Sequence, residues 1–420
     1  LYALFTGTCA DSELLIWAHY PSDPSQDFSK ESGPRRHIRP DCPGEQASRF
    51  YQTQHFCLIF YEEFFIMRIA QIAPLHEAVP PKLYGGTERV VSYLTEALVE
   101  QGHDVTLFAS GDSQTSAKLE AFWPQALRLD PTIRDVMAPH MLLLEEVRRR
   151  ADEFDVLHFH IDYYPFSLFA RQPVPFLTTL HGRLDLPELQ PIFNTFSDVP
   201  VVSISDNQRI PLQQANWLQT VYHGLPENVL TPIKDVEPGY LAFLGRVSPE
   251  KGLDRAIRIA GQAGMKLKVA AKIDKADRAY YEEVIKPLMA LPHVEYIGEI
   301  GEAEKREFLG NAHALVFPID WPEPFGLVMI EAMACGTPVI AFNRGSVPEV
   351  IENGVSGFVV EDEISAVAAL KRLHTLPRAK VRAAFEARFS SKVMAQNYVA
   401  AYEELLRRKH RTVLREVNAS

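Results

Sequence analysis

The sequence predicts an α/β protein built as two doubly wound domains, each a parallel sheet covered by helices, that face one another across a cleft. Three observations carry this. From Met67 onward, short apolar runs alternate with helical stretches, the pattern of parallel sheets buried on both faces. A Pro-rich connector, 226–238, splits the alternation into two blocks. The chain of 420 residues also exceeds what one hydrophobic core usually serves.

The stretch before Met67 differs from the rest. It lacks the alternation, and residues 20–48 are dense in Pro, Ser, Asp and Arg. Three of the four cysteines (Cys9, Cys42 and Cys57) lie there, an odd number that does not close a disulfide framework, and the fourth is Cys335. The run Met67-Arg68-Ile69-Ala70-Gln71-Ile72-Ala73-Pro74 reads as a short basic start followed at once by a buried strand. Residues 1–66 are therefore expected to be an extension, disordered or an upstream start-site artefact, with a lineage-specific appendage as the competing reading. A basic n-region ahead of a clean apolar core, as in a secretory signal, is not seen.

The first domain, 67–233, should carry strands at 68–73, 104–109, 155–160, 176–180, 199–204 and 219–222. Its first helix, 87–101, should stop at Gly102. The second domain, 234–391, should add strands at 240–244, 267–271, 294–297, 314–318 and 338–342. A last helix, about 392–408, follows it. Ligands of such sheets bind beyond the carboxyl ends of the strands, and the motifs below fall there.

Charge limits the partners. A formal net charge of -11 argues against nucleic-acid binding, which needs a clustered basic surface. The run Arg407-Arg408-Lys409-His410-Arg411 is the one local exception, a solvated helix end or a contact for anionic lipid headgroups. No apolar segment reaches the roughly 18 residues that span a bilayer. Residues 56–66 come nearest, interrupted by Glu62 and Glu63.

The most informative stretch is Trp321 to Val339, where Glu323 and Glu331 stand eight residues apart around a helix start. Pro324 suits a first helical turn and Gly336 a left-handed stop, so the helix is expected over 324–335. Amides at Phe325, Gly326 and Leu327 would then point toward an anionic phosphate, and Gly326 would let the ligand come close. Carboxylates accept paired sugar or ribose hydroxyls well. A bare pair of glutamates at this spacing would suit any amphipathic helix. In the second domain, Gly245-Arg246 leaves a strand and Lys251-Gly252 precedes a helix, so two cations can converge on a diphosphate. In the first, Gly85-Gly86-Thr87 joins a strand to a helix that Thr87 could cap; a flexible capped turn would also account for it. It lacks the third spaced glycine of a dinucleotide fingerprint. His181-Gly182 closes a strand at the cleft mouth. His158 and His160 alternate within a strand and face one side, as packing or cleft lining.

Together these motifs resemble the family 4 retaining glycosyltransferases, the glycosyl transferases group 1 of the GT-B superfamily. The likeness covers about residues 67–410. It rests on Glu323-Pro-Phe325-Gly326-Leu327, Glu331-Ala332, Ala334, Gly336 and Pro338-Val339, and on Gly245-Arg246 with Lys251-Gly252. It implies a GT-B fold of two Rossmann-like domains, with the acceptor domain N-terminal, the donor domain C-terminal, and the last helix crossing back to the first domain. It also implies transfer of a sugar from a nucleoside-diphosphate sugar to an acceptor hydroxyl with retention, by front-face substitution in which the leaving phosphate helps deprotonate the acceptor. His181 and Glu323 would flank the reacting sugar. Arg246 and Lys251 would hold the diphosphate without metal or other cofactor, and Glu331 would bind ribose hydroxyls. Ser205, and the pair His223-Gly224, occupy positions the family uses near the cleft, and Gly298 the approach to the base. The strand 267–271 ends in Ala270-Ala271-Lys272, where the family often has a glycine pair, so base preference is open. The acceptor (sugar, lipid-linked sugar or small molecule) is not specified. The expected location is the cytoplasm, at or away from the inner membrane face. Two rivals are a sugar-nucleotide epimerase of the same architecture and a non-catalytic sugar-nucleotide binder.

Overall fold

The computed structural model describes residues 2–9, 12–19 and 66–419, except 83–84, 235 and 237–238. It divides into two compact units, Leu1–Phe64 and Phe65–Ser420. In the first, β1 (Tyr2–Cys9) pairs antiparallel with β2 (Ser12–His19). The turn-rich stretch 20–48, which includes Cys42, lies outside the described residues, as does Cys57.

The second unit holds two parallel sheets. One contains β3 (Arg68–Ile72), β4 (Asp104–Ser110), β5 (Lys118–Trp123), β6 (Val156–Phe159), β7 (Phe176–Thr179), β8 (Pro200–Ser203) and β9 (Asn216–Thr220). Their spatial order is β5-β4-β3-β6-β7-β8-β9. The other contains β10 (Leu241–Arg246), β11 (Leu267–Lys272), β12 (Val294–Gly298), β13 (Ala314–Phe317), β14 (Val339–Phe342) and β15 (Gly357–Val360), in the order β12-β11-β10-β13-β14-β15. Each sheet therefore reverses direction once, between β3 and β6 and between β10 and β13. At such a switch the loops leaving neighbouring strands part in opposite directions and open a crevice.

Besides β1 and β2, which fall in the stretch expected to be an extension, two strands were not expected from the sequence. Strand β5 is an edge strand whose Lys118 and Glu120 pair at 2.8 Å, so it lacks the apolar run of a buried strand. Strand β15 spans four residues, Gly357 to Val360, too short a run to stand out. Strand β9 begins three residues before the expected 219, because an edge strand needs only half-buried residues and Asn216 and Trp217 already pair with β8.

Helix α1 (Gly86–Glu100) begins behind Gly85, whose φ of 152° suits glycine alone; Thr87 lies inside the helix and does not cap it. Helices α2 (Met137–Arg149), α3 (Leu253–Ala263) and α4 (Glu302–Gly310) cover the sheets. Helix α5 spans Leu327–Ala334, so the expected start at Pro324 is corrected: Gly326, at φ 78°, takes the N-cap position in a left-handed conformation that no helix interior admits. Its end is as expected. Gly336 has φ 71°, and the amides of Gly336 and Thr337 donate to Met333 and Ala332 carbonyls at 2.9 Å each, a Schellman closure. Helix α6 (Arg378–Phe389) leads into α7 (Ser391–Ala419), which returns to the first sheet. There Tyr398 and Tyr402 are fully buried, and the core around them runs without a break from Ile69 and Val156 to Leu315 and Met333. No helix among the described residues is long and apolar enough to cross a membrane.

Candidate active site

The two switch points face each other across a cleft of about 940 Å³. Its C-terminal wall is built of ion pairs. Arg246, at the end of β10, donates to Glu250 at 2.8 Å and stands 3.8 Å from both Asp274 and Asp277. Lys251, in the turn before α3, reaches the Glu323 carboxylate at 2.6 Å, and the Trp321 indole N–H donates to the same oxygen at 2.8 Å. Glu323 is 8% exposed. Its backbone is clamped as well: the Ser346 amide donates to its carbonyl at 3.0 Å, and a Cβ on Gly345 would lie 2.3 Å from its nitrogen. With one carboxylate oxygen held twice, the other remains for a ligand.

Glu331 lies inside α5 and accepts from Lys305 of α4 at 2.6 Å. Lys305 also approaches Glu302 at 3.3 Å, and Arg89 of α1 meets Glu302 at 2.7 Å. This chain of charges joins α5 to α1, the first helix of the opposite sheet. Burial opposes the Lys305 charge, but Glu331 and Glu302 outweigh it and hold the ammonium above its ordinary range. Between the two glutamates lies the start of α5, where Phe325, Gly326, Leu327 and Val328 line the cleft and a helix's first amides lack partners within it. Gly86 stands opposite, where a Cβ would touch Leu327 at 3.6 Å.

The N-terminal wall is different in kind. His181 hydrogen-bonds His160 at 2.9 Å, and its ring stacks on His223 at 5.3 Å. His160 meets the Gln71 carbonyl oxygen at 2.7 Å. Beneath them, His158 bonds Tyr402 at 2.8 Å and Thr179 at 2.7 Å, and Thr179 bonds Tyr398 at 2.9 Å. Burial depresses all four imidazoles: His181 to about 3, and His158, His160 and His223 well below the ordinary value. These rings are neutral at physiological pH. Asp162 also opens into the cleft at φ 50°, the only non-glycine positive φ among the described residues; desolvation raises its carboxyl to about 6.

Of the residues expected from sequence, His181, Arg246, Lys251, Glu323, Glu331, Gly85, Gly86, Thr87, Phe325, Gly326 and Leu327 line the cleft. Ser205 and Gly298 do not. The Ser205 hydroxyl is buried and accepts from the Gln208 amide at 3.1 Å, while Ile204, Glu299 and Ile300 reach the cleft at those turns. Sequence reasoning missed Lys305, Trp321, Gly345, Gln71 and Asp162. Lys305 carried a faint signal, as a lysine one turn after Glu302 on a helix ahead of the signature; Trp321 stands two residues from its partner Glu323, while Gln71 and Gly345 meet partners remote in sequence.

Two facing parallel-sheet domains, with carboxylates and cations gathered at one switch point and neutral histidines at the other, define a GT-B architecture. Comparison with known proteins agrees. A family described as Glycosyltransferase Family 4 matches residues 84–210, and one described as Glycosyl transferases group 1 matches 231–388. The chain belongs to the family 4 glycosyltransferases and is a glycosyltransferase. It is 25% identical to the phosphatidyl-myo-inositol mannosyltransferase of Mycolicibacterium smegmatis, across 81% of this chain and 93% of that protein. It is 24% identical to the N-acetyl-alpha-D-glucosaminyl L-malate synthase of Bacillus anthracis, across 77% and 95%. The solved structure of Anabaena HepE in complex with UDP and glucose shares the fold at a TM-score of 0.61 and 19% identity, covering 80% of this chain and 99% of that one.

Proposed function

We propose that this chain transfers a hexosyl group from a nucleoside-diphosphate sugar to an acceptor hydroxyl, with retention of anomeric configuration and without a divalent metal. The observation that carries the reading is the Lys251–Glu323 contact of 2.6 Å at the start of α5. The bond to be broken joins a sugar to a phosphate. The cation that meets the phosphate and the carboxylate that meets the sugar must therefore touch, and here they do.

In this reading Arg246, Lys251 and the α5 amides stabilise the charge that develops on the departing diphosphate. Lysine keeps further N–H donors beside the one given to Glu323, so it can hold the phosphate and the glutamate together. Glu323 offers its second oxygen to the sugar hydroxyls, and Glu331, oriented by Lys305, takes the ribose. The acceptor hydroxyl approaches from the histidine wall on the face the phosphate leaves, and its proton passes to that phosphate oxygen. The acceptor is a sugar, a lipid-linked sugar or a small molecule. Nucleotide-sugar supply places the reaction in the cytoplasm.

A panel of UDP, GDP and ADP sugars tests this by thermal shift, followed by NMR of the product's anomeric configuration. One base should stabilise the fold by about 2.7 kcal/mol at 100 times its dissociation constant. An inverted product would remove retention. Rearrangement of the donor without acceptor would point to an epimerase, and binding without turnover on any acceptor to a binding protein.

A further inference from the structure

Resting on the role proposed above for Glu323, we infer that Glu349 is a positioning residue for the reaction: the first domain holds its carboxylate, the helical turn that carries it holds the backbone of Glu323, and Glu323 is thereby aligned with the sugar only while the two domains are docked.

The link starts in the first domain. The short helix Asn207–Leu212 follows β8, and its first amides need acceptors from outside the helix. A local side chain would ordinarily supply one. Asp206 stands at the N-cap, but its carboxylate accepts from the Thr220 hydroxyl and makes no capping bond. The amides of Asp206 and Asn207 donate instead to the two carboxylate oxygens of Glu349, in the second domain, at 2.7 Å each. One oxygen per amide, at charge-assisted length, fixes the carboxylate in orientation as well as place. Tyr222, just past β9, adds its hydroxyl to the same carboxylate at 3.2 Å.

The link ends at Glu323. Glu349 belongs to the single turn Val347–Val350, and the amides of Glu349 and Val350 both donate to the Ser346 carbonyl, at 2.9 and 3.0 Å. Arg388 of α6 holds the same turn through the Glu349 carbonyl at 2.6 Å. Ser346 is fully buried; it donates its amide to the Glu323 carbonyl at 3.0 Å and its hydroxyl to the Phe325 carbonyl at 2.8 Å. Gly345 packs so closely on Glu323 that a Cβ would overlap its backbone. One packed turn of helix thus separates the carboxylate bound by the first domain from the backbone that carries Glu323, and a contact this tight transmits displacement. Neither Glu349 nor Ser346 lines the cleft, so any effect on the sugar passes through Glu323. Glu331 is tied to the first domain by a separate route, through Lys305, Glu302 and Arg89.

The test is made on the full chain. In Glu349→Ala, backbone amide exchange followed by mass spectrometry should quicken at Asp206 and Asn207 and, with them, at Ser346. Turnover of the nucleoside-diphosphate hexose should fall about tenfold or more, because a misplacement of about 1 Å can cost 10²-fold. Affinity for UDP, GDP or ADP, whichever binds, should stay within about twofold, since the route to Glu331 is intact. Glu349→Gln, with one acceptor oxygen left, should fall between. In a Glu323→Gln background, Glu349→Ala should cost less than about a further twofold, the non-additivity of a residue that acts through another. The inference is overturned if Ser346 stays protected while Asp206 and Asn207 open, if none of the three quickens, if turnover holds, if diphosphate affinity falls in step with it, or if the two substitutions multiply in full. If Glu349→Ala fails to fold, Glu349→Gln decides by the same readouts. Amide exchange needs no turnover, and failure of the role given to Glu323 would show as a fully active Glu323→Gln, so the two failures are read separately.

Discussion

The two walls of the cleft solve the problem of buried polarity in opposite ways. On the C-terminal wall, Arg246, Lys251 and Lys305 stay charged, each against carboxylates. On the N-terminal wall four histidines are held neutral: His158, His160 and His181 hydrogen-bond to one another or to a glutamine, a threonine and a tyrosine, and His223 stacks on His181. The first arrangement suits a ligand whose charge changes during reaction, because fixed charges need not reorganise. The second suits the recognition of neutral hydroxyls, where shape and proton placement decide and net charge would only attract counterions.

Acid should strike the histidine wall first and hardest. Each of its rings has a folded pKa below that of the unfolded chain, so the unfolded state binds more protons as pH falls. The stability is complete above about 6.5 and is lost on the way down, toward about 3 for His181. Denaturant unfolding at pH 7 and pH 5 should show a loss of up to about 1.4 kcal/mol per pH unit for each ring held neutral. A flat profile across that window would mean that the rings are accessible enough to protonate in the fold.

Breaking one ion pair tests the charged wall. Lys305 and Glu331 are 13% and 6% exposed in their side chains, so Lys305→Met strands a buried carboxylate. The expected cost is about 3–5 kcal/mol in unfolding free energy. A cost below 1 kcal/mol would class the pair with exposed surface bridges.

The two glutamates should fail differently. Glu323→Gln should lower turnover by about 10²-fold or more while nucleoside diphosphate affinity holds, because its assigned partner is the reacting sugar. Glu331→Gln should instead weaken nucleoside diphosphate binding by about 1.5–3 kcal/mol, the worth of charge-assisted hydrogen bonds to ribose. Equal loss of affinity in both, with turnover kept, would end the division of roles. The smallest effect is expected from EDTA, which should leave the transfer rate nearly unchanged. Loss of activity restored by Mg²⁺ or Mn²⁺ would show that Arg246 and Lys251 do not suffice for the leaving group.

Much of the charged wall was legible in the sequence because its pieces are local. Arg246 and Lys251 lie five residues apart, Glu323 and Glu331 eight, and strand-then-helix spacing alone puts Arg246 at a strand's carboxyl end, Lys251 and Glu323 in the loops beyond strands, and Glu331 on the helix that follows. The alternation of elements, the connector near 226–238 and the stop at Gly336 follow from the same short-range rules of periodicity and backbone conformation. Even there, Gly326 as the start of α5 depended on a left-handed φ that composition does not reveal. The histidines of the other wall were legible as rings near the cleft, but the network that joins them was not. Gln71, His160, His181 and Tyr402 are scattered over more than 300 residues and carry no shared spacing. Only the parallel register that sets Gln71 beside His158, and the return of α7 beneath the first sheet, bring them within hydrogen-bonding distance.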